Sequence, residues 1–355
     1  MRILQRYLTR HMLVGWLMSG SILAVLIMLL RLIDELDRVT SRYSTGQALL
    51  YVAFTLPQQM LTLAPVIVLV GTLAAFARLE QANEMTVVKG SAMDKPRFVA
   101  MLGVPFLLLA FTLWGLMEWA TPQLHQWGEE IRSEARGDNR LEPGQSLWSR
   151  NETFFYRVGE LGTEQRPRDI DLFEFADDYR LVRTIHAEQA EILDGRRWRL
   201  LDVTERHWID GILRIETLPS MEVGGLWSGD ELNRLLLSVD SMPPTVLYEY
   251  RQYLERSGQA SDGPALAFWN RVLLPVTTIG MGLLALGLSV KSGSRRTGVG
   301  RQLGLGVLVG VLFYLGSQIV LAIGQILVLP PAVTAAIPMT GILVAAAILL
   351  WRLRW

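Results

Sequence analysis

Charged side chains gather at two places just beyond long apolar segments, where they could bind an ionic ligand. The first follows Leu30 and contains Arg31, Asp34, Glu35, Asp37, Arg38 and Arg42. Arg31 and Arg38 are seven positions apart, so both fall on one helical face and can present cations to an anion. Arg132 and Arg136, four positions apart, form a second cationic pair. The alternative for both sets is a solvated collar of paired acids and bases.

Motifs typical of enzymes are absent from the sequence. It contains no GxxxxGK[ST], HExxH or GxSxG pattern. It has no cysteine either, which excludes thiolate nucleophiles, thiolate metal sites and disulfides. The four histidines, His11, His125, His186 and His207, are scattered, and we expect no metal site. Glu118, a single acid in an apolar segment, indicates either a functional pathway or a helix-end anchor.

The composition is typical of a membrane protein. Half of the 355 residues are hydrophobic, 19% are charged and the mean hydropathy is +0.28. Formal net charge is zero, because 34 basic residues balance 34 acidic ones. A global attraction to nucleic acid is therefore excluded, and any useful electrostatic interaction must be local.

Six apolar segments are long enough to cross a bilayer, since a spanning helix needs about 20 apolar residues. They lie at 12–30, within 45–77, at 98–117, at 272–290, and in two halves of 302–351 divided by Pro330 and Pro331. Pro57 and Pro65 predict kinks in the second span. Gly300, Gly304, Gly306 and Gly310, at the start of the fifth span, have the spacing of glycines that pack helices.

Basic residues predict the orientation, because short cytoplasmic loops are enriched in Lys and Arg. They precede span one, separate spans four and five, and follow span six: Arg2, Arg6, Arg10, Lys291, Arg295, Arg296, Arg301, Arg352 and Arg354. An even number of spans puts these three positions on one side. We therefore expect both termini in the cytoplasm and the long segment between spans three and four on the far side.

That long segment, 125–263, has the alternating pattern of β-strands. Asp194-Gly195 and Asp210-Gly211 are turn signals between successive strands. The expected fold class is an α-helical membrane protein with six transmembrane helices and an inserted all-β domain. The predicted division is 1–124 for spans one to three, 125–263 for the insertion and 264–355 for spans four to six.

The segment between spans two and three predicts a short amphipathic helix over about 78–94, parallel to the membrane. Glu80 and Glu84 would share one face of it. The alternative is a simple loop helix. In transporters such a helix contacts a soluble motor, which would here be a separate polypeptide because this chain has no phosphate-binding loop.

Several of these segments together resemble the lipopolysaccharide-export permeases of the LptF/LptG family, and its LptG branch more than its LptF branch. The resemblance covers nearly the whole chain. It rests on the order and spacing of RLIDEL, ARLEQANEMTVVKGSAM, EWATPQ, the pair Leu147 and Trp148, LAFWNRVLLPV and GVLVGVLFYLGSQI.

The resemblance implies a non-catalytic subunit in the inner membrane of a Gram-negative bacterium. Its partners would be an LptF-like permease in a heterodimer, an LptB-like ATPase homodimer and a single-span LptC-like protein. ATP and Mg would bind only the ATPase. The cargo would be lipopolysaccharide, spans one and five would form lateral gates, and the inserted domain would be a periplasmic β-jellyroll.

Residue by residue, the resemblance matches Arg31 and Arg132 with basic positions that meet lipid A phosphates; Arg38 and Arg136 extend these two faces. Asp37 and Glu129 stand where relatives can carry basic residues. Glu84 resembles the acid that engages the ATPase. Ile27, Leu30 and Phe313 fall in segments expected to line the acyl-chain cavity, although apolar residues there would also serve simple packing.

Three other functions remain open from the sequence. One is a permease for another lipid or for lipoproteins. The others are a membrane-embedded lipid-modifying enzyme using Glu118, and a scaffold that only anchors the inserted domain. The lipid that co-purifies with the chain, or turnover of a lipid without any ATPase, would separate these alternatives.

Overall fold

The structure is a computed structural model. It describes residues 2–84, 95–136, 147–150, 154–161, 166–176, 180–193, 196–209, 212–227, 232, 239–256, 260–291 and 299–352. Its helices before the insertion are α1 (Arg2–Leu36), α2 (Thr45–Thr62), α3 (Ala64–Gln81), α4 (Lys95–Gly115) and α5 (Thr121–Arg136). Those after it are α6 (Pro244–Arg256), α7 (Asp262–Lys291), α8 (Val299–Ile326) and α9 (Pro331–Arg352). Six helical segments of the described chain are long and apolar enough to cross a membrane.

The first span extends well beyond the apolar segment that predicted it. Helix α1 has 35 residues, which is roughly 52 Å at the usual rise per residue. The hydrocarbon core of a bilayer is only about 30 Å thick. Both ends of α1 therefore protrude, and its last turns carry Arg31, Asp34 and Glu35 out of the lipid.

The second span is kinked, as predicted. Helix α2 begins with a capping box in which the Gln47 amide donates to the Ser44 hydroxyl and the Ser44 amide donates to the Gln47 side chain. Leu63 separates α2 from α3, and Pro65 follows in the first turn of α3. Because Pro65 has no N–H for the preceding turn, the helix breaks there. Pro57 lies inside α2.

The third span contains a π-helical turn, Leu116–Ala120, between α4 and α5. The Thr121 amide donates to the Leu116 carbonyl, five residues back, so one extra residue bulges from the helix. Glu118 lies in this bulge, where one carboxylate oxygen accepts a hydrogen bond from Thr245 of α6. The bulge thus connects the third span with the helix that leads back to the fourth.

Helix α3 is the centre of the membrane part, since it packs against α1, α7 and α8. In the most apolar stretch of α3, 61% of the residues are buried, against 17% for α1 and 11% for α8. Gly15 of α1 meets Gly71 of α3 backbone to backbone. Beside them, the Trp16 indole donates to the Thr72 hydroxyl at 2.9 Å. Small residues therefore set the α1–α3 crossing.

The insertion folds as one antiparallel sheet whose strand order, β1-β2-β3-β4-β5-β6, follows the chain. The strands are β1 (Leu147–Arg150), β2 (Phe154–Leu161), β3 (Pro167–Phe175), β4 (Leu181–Ile192), β5 (Arg197–Ile209) and β6 (Ile212–Gly224). The predicted fold class, a helical membrane protein with an inserted β domain, is confirmed. The described strands form a meander, so the two-sheet jellyroll stays a prediction. Residues 194–195 and 210–211, the predicted turns, lie outside the described residues.

The inner face of this sheet forms a core closed by the segment after β6. Trp198 is fully buried, and its indole N–H donates to the Trp227 carbonyl at 2.6 Å. The Trp227 indole in turn donates to the Tyr253 hydroxyl of α6 at 2.8 Å. Helices α5 and α7 run through residues 125 and 263, where the sequence analysis placed the domain boundaries. The division of the chain into three parts stays a prediction.

Candidate functional site

The charged cluster after span one is organised around Glu35. Although it is charged, Glu35 is only 4% exposed. Its carboxylate accepts a hydrogen bond from the Tyr43 hydroxyl at 3.1 Å and lies 3.7 Å from an Arg38 guanidinium nitrogen. Arg132 Nε, from α5, is 3.4 Å from the same carboxylate. A buried carboxylate needs such partners, because desolvation without them costs several kcal/mol.

Arg132 joins the first three spans. Its guanidinium donates to the Tyr51 hydroxyl at 2.8 Å and lies 4.8 Å from the centre of the Tyr51 ring. The Tyr51 hydroxyl donates to Glu129 at 3.2 Å, and Glu129 lies 4.0 Å from Arg132. One arginine of α5 thus contacts α1 through Glu35 and α2 through Tyr51. Sequence reasoning missed Tyr43 and Tyr51; the Ser44-x-x-Gln47 cap was the signal for the helix that presents Tyr51.

The structure brings three of the four predicted arginines to this corner. Two of them are exposed, and the third is mostly buried among its partners. Arg31 is exposed on α1, one turn before Glu35, and makes no ion pair within the described ranges. Arg38 keeps 54% of its side chain exposed beside Glu35. Arg132 is only 21% exposed and contacts three residues, Glu35, Tyr51 and Glu129. Arg136 ends α5 one turn further on, but its side chain lies outside the description.

A cavity of about 300 Å³ opens among the second, third, fourth, fifth and sixth spans. Phe313 and Tyr314 of α8 line it, together with apolar residues of α3 and α9 and with Arg271 of α7. Ile27 and Leu30 are not among its lining residues; Ile27 is half-buried and Leu30 is 54% exposed on α1. Of the three residues predicted to line the acyl cavity, Phe313 lies among the described lining residues of this one, and the role of all three stays a prediction.

Helices α1 and α8 each present an uncovered apolar face. On α1 it comprises Leu17, Ile22, Val25, Leu26, Leu29, Leu30 and Ile33, and on α8 Leu305, Leu308, Leu312, Leu315, Ile319 and Ile323. Both helices pack against α3 with their other side. Since lipid is as apolar as leucine, these faces suit either acyl chains or another membrane subunit.

Glu84 lies at the start of the connector and is bound to span one. The Tyr7 hydroxyl donates to its carboxylate at 2.6 Å. Residues 78–81 belong to the end of α3, and Asn83 has a positive φ of 57° that ends the helix. The prediction that Glu80 and Glu84 share a face of one helix beginning at about 78 is therefore wrong. Most of the predicted connector helix, 85–94, lies outside the described residues.

The full length of the chain can be compared with known proteins. The sequence model of the family described as lipopolysaccharide export system permease LptF/LptG matches residues 6–352. The chain belongs to the LptF/LptG family. The permease LptG of Haemophilus influenzae is 25% identical over 343 residues, which are 94% of each chain. LptG of Escherichia coli K12 is 24% identical over 360 residues, covering 99% of this chain and 98% of the relative. The predicted likeness to the LptG branch is thereby confirmed.

Two acids of this LptF/LptG-family chain, Asp37 and Glu129, stood at positions where the resemblance led us to expect basic residues. The structure gives Glu129 a role in the described corner, where it accepts the Tyr51 hydrogen bond and neutralises part of the Arg132 charge. Asp37 is exposed. Glu129 thus stabilises Arg132, the arginine that the resemblance indicated.

Among the described strands of this family member, β2, β3 and β4 bring together a polar cluster that the sequence did not predict. Asp169 and Asp171 of β3 and His186 of β4 offer three possible metal-ligand atoms within 4.8 Å of one another. Arg157 of β2 donates to both carboxylates, at 2.8 Å and 2.5 Å. Partial burial disfavours its charge, but these carboxylates raise the pKa of Arg157. The cluster is therefore an ion-pair network across three strands, and strand register, which sequence alone left open, creates it.

Proposed function

We propose that this chain is the LptG-type permease subunit of a lipopolysaccharide exporter. It would lie in the inner membrane of a Gram-negative bacterium, with both termini in the cytoplasm and the β domain in the periplasm. The observation that carries the proposal is the family match over nearly the whole chain, combined with the arginine corner at the far end of α1.

Its partners would be an LptF-like permease, an LptB-like ATPase homodimer and an LptC-like single-span protein. The uncovered apolar faces of α1 and α8 support pairing with another permease, with a lipid cavity between the two subunits. The sequence has no phosphate-binding loop, which supports leaving ATP and Mg to the ATPase. Glu84 would contact that ATPase from the connector.

The arginines would have different roles at the lipid headgroup. Arg31 and Arg38 expose their guanidinium groups and are available for phosphates, to which arginine bonds in a bidentate manner. Arg132 would remain with Glu35 and Tyr51 and shape the corner. The apolar face of α1 below Arg31, including Ile27 and Leu30, would meet acyl chains from the side, and Phe313 would meet them from α8.

The test is co-expression of the chain with candidate permease, ATPase and single-span partners, followed by mass spectrometry of the purified assembly. A lipid A-containing glycolipid bound to the assembly, lost on ATP hydrolysis, is the expected result. A bound lipoprotein would overturn the cargo, and conversion of a lipid by the chain alone would overturn transport. Membrane-impermeant labelling of introduced cysteines at Ile3 and Ile215 tests the orientation, since the chain has no other cysteine.

A further inference from the structure

The end of α3 is a sharp, well-defined turn. The Ala82 amide donates to the Arg78 carbonyl and the Asn83 amide donates to the Glu80 carbonyl, both at 3.0 Å. Asn83 then adopts a left-handed backbone conformation, which asparagine tolerates better than most residues. The chain therefore leaves α3 in a new direction, with Glu80 before the turn and Glu84 after it.

Each of these two acids is bound to a different span. Glu84 accepts the 2.6 Å hydrogen bond from Tyr7 of α1. Glu80 accepts a hydrogen bond from the Gln302 side chain of α8 at 3.2 Å. Gln302 is only 8% exposed, so its amide depends on such a partner. The base of the connector is thus attached to both the first and the fifth span.

The same two spans pack on α3 further along through close apolar contacts. Gly15 of α1 lies against Gly71, while Gly310 of α8 leaves room for Val66 of α3. Glycine interfaces of this kind have smooth surfaces and no long side chains to interlock. Tilting of α1 or α8 about these points would displace their ends, where Tyr7 and Gln302 lie.

We propose that Tyr7 and Gln302 are positioning residues that transmit movement of the connector to the first and fifth spans. The inference rests on the proposed function, in which an ATPase moves the connector and these two spans gate the cavity. When the ATPase displaces Glu84, the Tyr7 hydroxyl draws the end of α1 with it. Glu80 holds α8 through Gln302. Movement of the turn between Glu80 and Glu84 would therefore displace both α1 and α8.

The experiment uses the full permease–ATPase assembly in lipid nanodiscs loaded with lipopolysaccharide. In Tyr7→Phe and in Gln302→Leu, assembly and basal ATP hydrolysis stay as in the unmodified protein. ATP-driven release of lipopolysaccharide per ATP hydrolysed falls roughly ten-fold, the factor expected for one lost hydrogen bond to a charged group. Tyr250→Phe in α6 and Gln325→Leu at the other end of α8 are the matched controls and keep full coupling.

Two further measurements separate transmission from simple structural support. Spin labels on Ile3→Cys and Leu305→Cys report the distance between the ends of α1 and α8, and the Tyr7→Phe variant loses the ATP-dependent change in that distance. Tyr7→Phe and Glu84→Ala combined cost no more coupling than Glu84→Ala alone, because the Glu84 variant already removes the acceptor of the Tyr7 hydrogen bond.

Wild-type release per ATP in either variant overturns the inference while leaving the proposed function intact. A proportional fall in basal hydrolysis and release, or fully additive losses in the double variant, also overturns it, since the residues would then only support the fold. Absence of lipopolysaccharide release from the unmodified assembly overturns the proposed function, and with it this inference.

Discussion

Gly15 and Gly71 bring the backbones of α1 and α3 into direct contact. A Cβ atom on Gly71 would lie 2.7 Å from the Gly15 carbonyl oxygen, closer than real Cβ contacts allow. Rigid backbone, not a flexible side chain, occupies that space. Any larger residue at either position must therefore push the first span away from the helix at the centre of the membrane part.

Gly71→Ala is expected to destabilise the purified protein by about 1–3 kcal/mol, the usual cost of overpacking a close contact. Thermal unfolding in detergent measures the effect. Gly103→Ala is the matched control, because a Cβ on that α4 glycine meets nothing within 4 Å. Equal unfolding midpoints for the two variants would show that the α1–α3 contact is not tight.

Glu35→Ala is expected to lower stability by about 1–3 kcal/mol, because it leaves Arg132 and the Tyr43 hydroxyl without their shared acceptor. The comparison is Asp34→Ala, one position earlier on the exposed side of α1. Thermal unfolding would detect the difference, and a stable Glu35→Ala protein would mean that the carboxylate is not the centre of the corner.

Arg31→Ala and Arg132→Ala should separate ligand contact from structural support. Photo-crosslinking to lipopolysaccharide falls roughly ten-fold or more in Arg31→Ala, since one charge-assisted hydrogen bond contributes about 1.5–3 kcal/mol, while its unfolding midpoint stays unchanged. Arg132→Ala loses both crosslinking and stability, because three helices share that guanidinium. Arg10→Ala, at the other end of α1, serves as the control. Undiminished crosslinking in Arg31→Ala would make it a collar residue.

Tyr253→Phe is expected to loosen α6 from the β domain, because it removes the hydroxyl that accepts the Trp227 indole hydrogen bond. The cost is about 1 kcal/mol. Hydrogen exchange across α6 measures it, with Tyr248→Phe in the same helix for comparison. Unchanged exchange in Tyr253→Phe would show that apolar packing alone holds the helix.

Local sequence patterns predicted the elements whose structure depends on residues close together in the sequence. A spanning helix makes all of its backbone hydrogen bonds within one segment, so length and apolar composition were sufficient to find it. The kink at Pro65 followed from one missing N–H in the same way. Alternation of apolar residues likewise predicted the strands of the insertion. The connector was less predictable, because the left-handed conformation of Asn83 overrides a helical pattern that continues through Glu84.

By itself, the sequence determined the membrane class of this protein, its six spans, the inserted strands, and the charged residues from which the site would be drawn. The tertiary structure alone decided their partners. Arg132 meets Tyr51 across 81 positions of sequence, and Gln302 meets Glu80 across 222. A charge pattern along one helix shows which side chains are cationic. Only the packing of that helix against its neighbours shows which of them, like Arg132, are already held by an acid and which, like Arg31, remain exposed.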